Sequence, residues 1–262
     1  MKRRPFVIAS VAALLAAFGC SASGNAVQGV ADGGADASAD APSDGTSTTP
    51  DDGAAPDDAA VDAGIVDDAS SSLACPPGSV AAFTPTWKPP KKLHAGVCSL
   101  AEAELTVDCA FDPNAKQSTC DAYFADAGSS ACTLCVLTDD FDTTYGPIVM
   151  HGAYAALNLG GCIAQTSGDT SATSCGAKVQ AISECQEFAC TSCPDPSTTS
   201  KAMTDYLKCQ SAAMSSVCKS FVTAGSCADA LIAPDGSAEI CASGGNTFLD
   251  RARALARLFC AP

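Results

Sequence analysis

From residue 99 onward, apolar side chains recur every three or four positions, which is the spacing of one face of an α-helix. The clearest helix start is Ser99, because Glu102 stands three residues later and the pair has capping-box spacing. Prolines at Pro113, Pro194 and Pro196 interrupt the pattern. The sequence predicts helices over residues 99–110, 114–127, 130–137, 171–189, 199–214, 217–223 and 247–259.

The last of these helices is the most clearly two-sided. Its apolar side carries Phe248, Ala252, Leu255 and Phe259, and its basic side carries Arg251, Arg253 and Arg257. We expect the apolar side to be buried and the arginines to be solvated. The alternative is that the basic side docks an acidic partner, such as the acidic segment of this same chain.

Residues 139–168 do not follow the helical pattern. Ala155, Leu157 and Leu159 alternate with Tyr154, Ala156 and Asn158, and the glycines of this stretch interrupt any helix. The alternation favours a small β-hairpin within residues 146–163, with a helix as the alternative.

The N-terminus has the pattern of an export signal. Three basic residues at positions 2–4 precede an apolar run over residues 6–18, which is too short to cross a bilayer as a stable helix. Gly19, Cys20 and Ser21 follow, and this arrangement resembles the lipobox of bacterial lipoproteins. We expect residues 1–19 to be a signal peptide and Cys20 to be lipidated. Cleavage without lipidation and twin-arginine export are the alternatives.

Residues 20–74 combine this cysteine with an acidic, small-residue segment. It carries eleven Asp and no Lys or Arg, and Ala, Gly, Ser, Thr and Pro make up most of the rest. Such a composition offers little apolar surface to offset the entropy of ordering, so it predicts a disordered tether. The whole chain has a formal net charge of −15, which argues against a nucleic-acid partner because phosphate affinity comes from Lys and Arg.

Sixteen of the seventeen cysteines follow this segment, in residues 75–262. In an exported chain with few large apolar residues, we expect disulfides to stabilise this domain. An even number can pair completely, which leaves Cys20 as the odd residue and agrees with its lipidation. The predicted disulfide residues are Cys75, Cys98, Cys109, Cys120, Cys132, Cys135, Cys162, Cys175, Cys185, Cys190, Cys193, Cys209, Cys218, Cys227, Cys241 and Cys260.

Two Cys-x-x-Cys pairs, at Cys132/Cys135 and Cys190/Cys193, raise other hypotheses. They could bind zinc or exchange disulfides, but twelve other cysteines surround them and neither shows a βαβ context. We interpret them as structural disulfide residues, and we expect no metal site.

The segment before the first helix is rich in proline and should wrap the surface as an extended arm. It contains Trp87, the only tryptophan, which we expect to anchor the arm onto the helices. Trp87, Tyr145 and His151 are the candidates for surface or ligand contact, with Asp142 beside the last two in sequence. The chain carries no recognisable catalytic or cofactor motif, so we predict no catalytic residues, no cofactor and no enzymatic activity.

Several of these stretches occur together in one known group of proteins. The Thr86-Trp87-Lys88-Pro89-Pro90 arm, Cys98 before a capped helix, Tyr145-Gly146-Pro147-Ile148-Val149 and Asn158-Leu159-Gly160-Gly161-Cys162 resemble cysteine-rich exported proteins of myxobacteria. The resemblance covers about residues 83–193. It implies no activity, and Tyr145 stands where that group usually has tryptophan.

The sequence thus predicts a mainly α, disulfide-stapled domain over residues 75–262, with a small β-hairpin, behind a disordered acidic tether. We expect a lipoprotein of the outer membrane or cell surface that acts as a binding or structural surface module. Its expected partners are the membrane, through the lipid, and an envelope or extracellular protein or glycan. The alternative is an enzyme of another class, with thiol–disulfide exchange through a Cys-x-x-Cys pair as one such activity.

Overall fold

A computed structural model describes residues 73–152 and 154–262 of the protein. The predicted signal peptide, Cys20 and the predicted tether up to residue 72 lie outside the described residues. Within the described part, no helix has both the length and the apolar content needed to cross a bilayer.

The fold is mainly α-helical, as the sequence predicts, with ten α-helices and a three-stranded sheet in the described part of the chain. The helices are α1 (Leu100–Phe111), α2 (Gln117–Ala125), α3 (Ser130–Val136), α4 (Leu159–Ser167), α5 (Cys175–Ala189), α6 (Ser200–Ser215), α7 (Lys219–Gly225), α8 (Ala228–Ile232), α9 (Glu239–Ala242) and α10 (Phe248–Cys260). The strands are β1 (Leu137–Asp139), β2 (Ile148–His151) and β3 (Tyr154–Leu157).

The predicted capping box at the start of α1 is present. The Ser99 hydroxyl accepts a hydrogen bond from the Glu102 backbone N–H at 3.2 Å, and the Glu102 carboxylate accepts one from the Ser99 N–H at 2.7 Å. Two otherwise unpaired donors at the helix end are thereby satisfied.

The β-hairpin is also confirmed, as β2 and β3, which pair antiparallel with Ile148 opposite Leu157. Gly152 adopts a φ of +61° at the turn, a conformation that glycine reaches without strain. The third strand, β1, pairs parallel to β2 and was not predicted.

The hairpin ends earlier than the sequence pattern indicates, because residues 159–167 form α4. The Asn158 side chain caps this helix by accepting from the Gly161 N–H at 2.8 Å. The sequence pattern predicts that these glycines break helices, but Gly160 allows close packing of two helices. A Cβ on it would lie 2.5 Å from the Gly176 carbonyl oxygen of α5. The glycines therefore let two helices touch.

The basic side of α10 is not simply solvated, so the expectation for its arginines is wrong in part. The Arg253 guanidinium lies 2.6 Å from the Asp108 carboxylate and 3.5 Å from that of Asp112, and Arg257 lies 2.7 Å from Glu104. All three acids belong to α1 or its C-terminal cap, so the acidic partner of this side is another helix of the same domain.

Two clusters of buried side chains make up the core. The larger one joins α1, α3, the sheet and α10, and the smaller one joins the C-terminal part of α5 to α6, α7 and Cys75. Of the 41 buried apolar residues in the described chain, 13 are alanine and 12 are cysteine. Since these side chains bury little area each, apolar burial alone gives this domain a small stabilisation.

Eight disulfides connect all sixteen cysteines of residues 75–262. The pairs are Cys75–Cys193, Cys98–Cys132, Cys109–Cys120, Cys135–Cys260, Cys162–Cys241, Cys175–Cys227, Cys185–Cys218 and Cys190–Cys209. Neither Cys-x-x-Cys pair closes on itself, because each of its cysteines bonds to a distant one. The disulfides therefore link elements across the fold.

The first stability prediction concerns the disulfides. Each contributes about 2–4 kcal/mol, whereas a whole domain is stable by only about 5–15 kcal/mol. We expect full reduction and alkylation to unfold the domain in native buffer, which would be measured as loss of helical circular dichroism and of a melting transition. A reduced, alkylated chain that still melts cooperatively would contradict the thin-core argument.

The close contact between α4 and α5 leads to a second prediction about stability. A Cβ on Gly176 would lie 2.2 Å from the Gly160 carbonyl oxygen and 2.6 Å from the Ala164 Cβ. We expect Gly176→Ala to lower the free energy of unfolding by about 1–3 kcal/mol, measured by guanidinium denaturation. Gly128→Ala is the matched control, because its Cβ would meet no atom closer than 3.4 Å. An unchanged or higher stability for Gly176→Ala would show that the two helices have room to separate.

Candidate functional site

A cleft of about 560 Å³ lies between α5, the sheet and the proline-rich arm. Volumes of this order are typical of small-molecule sites. One wall is α5, with Gln180, Glu184 and Glu187 at successive turns, and the opposite wall includes Val149 and His151 of β2. Thr84 of the arm and Thr191 are exposed and also line it, so the cleft reaches the surface.

The arm is held over the cleft by polar contacts along its length. Glu184 accepts a hydrogen bond from the Thr86 N–H at 2.8 Å, and the Gln180 amide donates to the Thr86 carbonyl at 3.0 Å. The Lys88 ammonium donates to the Asp140 carbonyl at 2.5 Å and lies 5.2 Å from the centre of the Tyr145 ring. These contacts draw the arm, α5 and the β1–β2 loop into one site.

Trp87 faces away from this site. Its indole N–H donates to the Thr170 carbonyl at 3.0 Å, and its ring lines a separate hollow beside Ala177 and Ala181 of α5. Trp87 thus fixes the back of the arm to the helix and does not line the cleft.

Tyr145 and His151 do line the cleft, whereas Asp142 is not among its lining residues. The Asp142 carboxylate accepts a hydrogen bond from the Asp139 N–H at 3.0 Å. The acid near His151 from this loop is Asp140, whose Oδ2 lies 3.9 Å from His151 Nδ1. The structure therefore brings two of the three candidate contact residues together, with a different aspartate.

Glu187 is the central acid of the cleft. Its carboxylate lies 3.5 Å from His151 Nδ1. Desolvation raises the pKa of Glu187, and hydrogen bonding from the Tyr154 side chain offsets part of that rise. The Tyr154 hydroxyl accepts a hydrogen bond from the Tyr206 hydroxyl at 3.2 Å. The imidazole of His151 also stacks on the Tyr154 ring, with centres 4.9 Å apart. The result is a polar chain from α6 through β3 to α5.

Burial strongly shifts the pKa values of the titratable side chains in and around the cleft. Desolvation raises the pKa of Glu187 to about 7, and it lowers the pKa of His151 to about 4. Desolvation also raises the pKa of Tyr206 to about 12 and raises the pKa of Tyr154 and Tyr145. His151 is therefore neutral at neutral pH, and Glu187 exchanges its proton there.

The two other acids of the cleft have raised pKa values as well, again chiefly because of desolvation. Asp140 is further affected by the adjacent Asp139 carboxylate, whose own pKa is lowered mainly by a hydrogen bond with Asp140. The cleft therefore collects three carboxyl groups that folding has removed in part from water.

The cysteines form no metal site here. The sulfur atoms of Cys75, Cys193 and Cys209 lie within 4.8 Å of one another, the distance at which three ligands could share an ion. All three are in disulfides, so no thiolate is available to bind a metal.

Sequence reasoning did not identify Glu184, Glu187, Tyr154 or Tyr206 as site residues. The signal that could have found the two acids is their place on α5, a helix with nine buried residues that is packed on several sides. A carboxylate on such a helix must either pair or face a cavity.

No protein-family model, curated protein or solved structure matches this chain. The geometry of the cleft is therefore the basis for any statement about function.

The opposed shifts of Glu187 and His151 predict how stability depends on pH. The raised pKa of Glu187, about 7 against an ordinary 4.5, means that its contribution to stability falls as the pH rises through that interval. The lowered pKa of His151, about 4 against 6.5, means that its contribution rises over its own interval. Between about pH 4.5 and 6.5 the two contributions cancel.

Replacing Glu187 or His151 singly should reveal the contribution of the other residue to the pH dependence of stability. Relative to the unsubstituted protein, we expect the free energy of unfolding of Glu187→Gln to rise by about 2–3 kcal/mol from pH 4.5 to 6.5, and that of His151→Gln to fall by a similar amount. Guanidinium denaturation at pH 4.5, 5.5 and 6.5, with disulfides intact, measures both. Glu239→Gln, an exposed change on α9, should follow the unsubstituted protein. Slopes of the same sign in the two cleft variants would contradict the opposed shifts.

Proposed function

We propose that this protein is a cell-envelope lipoprotein whose cysteine-rich domain binds a ligand in the cleft beneath the proline-rich arm. Lipid on Cys20 holds the chain at the outer membrane or cell surface, and the acidic tether spaces the domain from it. The observation that carries the binding role is the cleft itself, where partly desolvated carboxyl groups are held in place by a disulfide-linked frame.

Acidic side chains removed from water destabilise a domain unless opposite charges or hydrogen bonds compensate them. Such residues are therefore expected to have a function. Groups with strongly shifted pKa values in a cleft are characteristic of functional sites. Here Glu187, Glu184 and Asp140 come from two separate elements and converge on one space of small-molecule size. Binding of a ligand is the function that explains these three acids.

The cysteines support an exported location. Eight disulfides form and persist in an oxidising compartment, and reducing cytoplasm disfavours them. All sixteen cysteines of the domain are paired, so the seventeenth, Cys20, has no partner among them. An unpaired thiol in an oxidising compartment invites intermolecular bonds, and lipidation removes that thiol.

The alternative is an enzyme, and its thiol-exchange form predicts a Cys-x-x-Cys disulfide that opens readily. Cys132 and Cys135 bond instead to Cys98 and Cys260, and Cys190 and Cys193 bond to Cys209 and Cys75. This cross-pairing favours a structural role for both motifs. A non-thiol enzyme is favoured by one feature of the cleft: the Glu187 carboxyl lies 3.5 Å from His151 Nδ1, and desolvation raises its pKa to about 7.

Cys20 provides the test of anchoring. We expect the natively expressed chain to fractionate with membranes, with a mature N-terminus at Cys20 that carries a diacylglyceryl group, and Cys20→Ser to become soluble because no acyl chain remains. Intact mass spectrometry after alkylation without reduction reads the lipid and any free thiol together. Ser23→Ala, a neighbouring change that spares the cysteine, should stay with membranes.

Two results would contradict the proposal. One is an unmodified N-terminus near residue 20 in the membrane-extracted protein. The other is a thiol in residues 75–262 that alkylates before reduction, which would favour the exchange enzyme.

A further inference from the structure

We infer that the cleft binds an alkyl chain that ends in a primary ammonium group. This inference rests on the proposed binding role and deepens it, because it names the ligand chemistry of the same site. Charge, unsatisfied hydrogen-bond acceptors and the shape of the walls each point to such a ligand.

The charge of the cleft is negative and incompletely balanced. Three carboxyl groups, those of Asp140, Glu184 and Glu187, line it together with one ammonium, that of Lys88. His151 contributes no positive charge at neutral pH. Once Glu187 is ionised, a further cation is needed to compensate the carboxylates in this partly desolvated space.

Two acceptor atoms on residues that line the cleft have no hydrogen-bond partner. Gln180 Oε1 and Asp140 Oδ1 are buried and accept no hydrogen bond from the protein. The Gln180 residue is only 8% exposed, and its amide nitrogen is already committed to Thr86 and Glu184 at 3.0 and 2.5 Å. Both unsatisfied atoms are acceptors, so the missing partner is a donor. An ammonium group has three donors and no acceptor, which matches this requirement.

A metal ion fits the cleft less well than an organic cation. Calcium and magnesium need several oxygens at about 2.0–2.6 Å from one centre. Among the described residues, the carboxylates of Asp140, Glu184 and Glu187 do not gather closely enough to share an ion; the one group that does is the disulfide cysteines. Acids spread along a cleft suit an elongated ligand.

The walls show how such a ligand would be held. Val149, Leu157, Val179 and Phe188 line the cleft beside the acids and offer apolar contact to a methylene chain. The Lys88 side chain already binds in this way within the protein. Its ammonium group donates a hydrogen bond to the Asp140 backbone carbonyl and lies over the Tyr145 ring. The cleft thus combines acceptors with an apolar lining, as a lysine-like chain requires.

Calorimetric titration of the full chain with 1,4-diaminobutane at pH 8 tests the inference. We expect saturable binding, and binding weaker by about tenfold or more for 1,4-butanediol, which has the same chain without charge. Nα-acetyl-lysine methylamide serves as a second probe: binding of the diamine alone indicates a free small amine, and equal binding of both indicates that a lysine side chain is also accepted.

The pH dependence and two variants locate the binding. Affinity for the diamine should fall severalfold at pH 5.5, where Glu187 is protonated while the amines stay charged. The titratable and charged groups that face or neighbour Glu187 are His151, Tyr154, Tyr206, Tyr145, Glu184, Asp140 and Lys88. Glu184→Gln and Glu187→Gln should each weaken binding by about tenfold, and Glu239→Gln on α9, which does not line the cleft, should not change it.

Three results would overturn the inference. The first is equal binding of diamine and diol, which would leave a binding cleft but remove the ammonium requirement. The second is an equal loss of affinity in Glu239→Gln and the cleft variants, which would place the amine on the acidic surface at large. The third is no diamine binding at millimolar concentration. None of these affects the anchoring at Cys20, so failure of this inference and failure of the proposed function remain distinguishable.

Discussion

The structure depends on covalent links between helices that have little apolar surface of their own. α5 shows this most clearly, because Cys175, Cys185 and the capping Cys190 bond it at three points to α6 and to the segments that begin α7 and α8. Its partner on the other side, α4, approaches through glycines. A helix held in this way keeps its position without a thick layer of large side chains, because the disulfides restrict the unfolded chain.

This rigidity allows α5 to carry acids into a partly buried space. Removing a carboxyl from water disfavours folding, and in a marginal core that would select against Glu184 and Glu187. Protonation limits this penalty. Because the pKa of Glu187 is raised and that of His151 is lowered, the two residues together hold about one proton over the mildly acidic range, and both are then neutral. The cleft is thus tolerated in the folded protein and still acquires charge near neutral pH.

Local patterns in the sequence predicted the elements that local interactions determine. The capping box at Ser99, the two-sided α10 and the alternating hairpin were predicted because their signals lie within a few residues. The helix α4 was not, since Gly160 is favoured there by a contact with Gly176, a residue that only tertiary packing brings near. The convergence of Tyr206, Tyr154 and Glu187 was missed for the same reason: three helical or strand positions become one site only through the disulfide-linked arrangement of α5 and α6.

The Cys75–Cys193 disulfide has a mechanical consequence. The arm that covers the cleft begins at Cys75 and is held at its other end, where Pro90 pairs with Tyr145 beside β2. A pull on the chain before residue 75 is transmitted through the sulfur atoms to the segment after α5, and it bypasses the fifteen or so residues of the arm. Tension from an anchoring segment would therefore load a covalent bond, and the hydrogen bonds of Thr86 and Lys88 over the cleft would carry none of it.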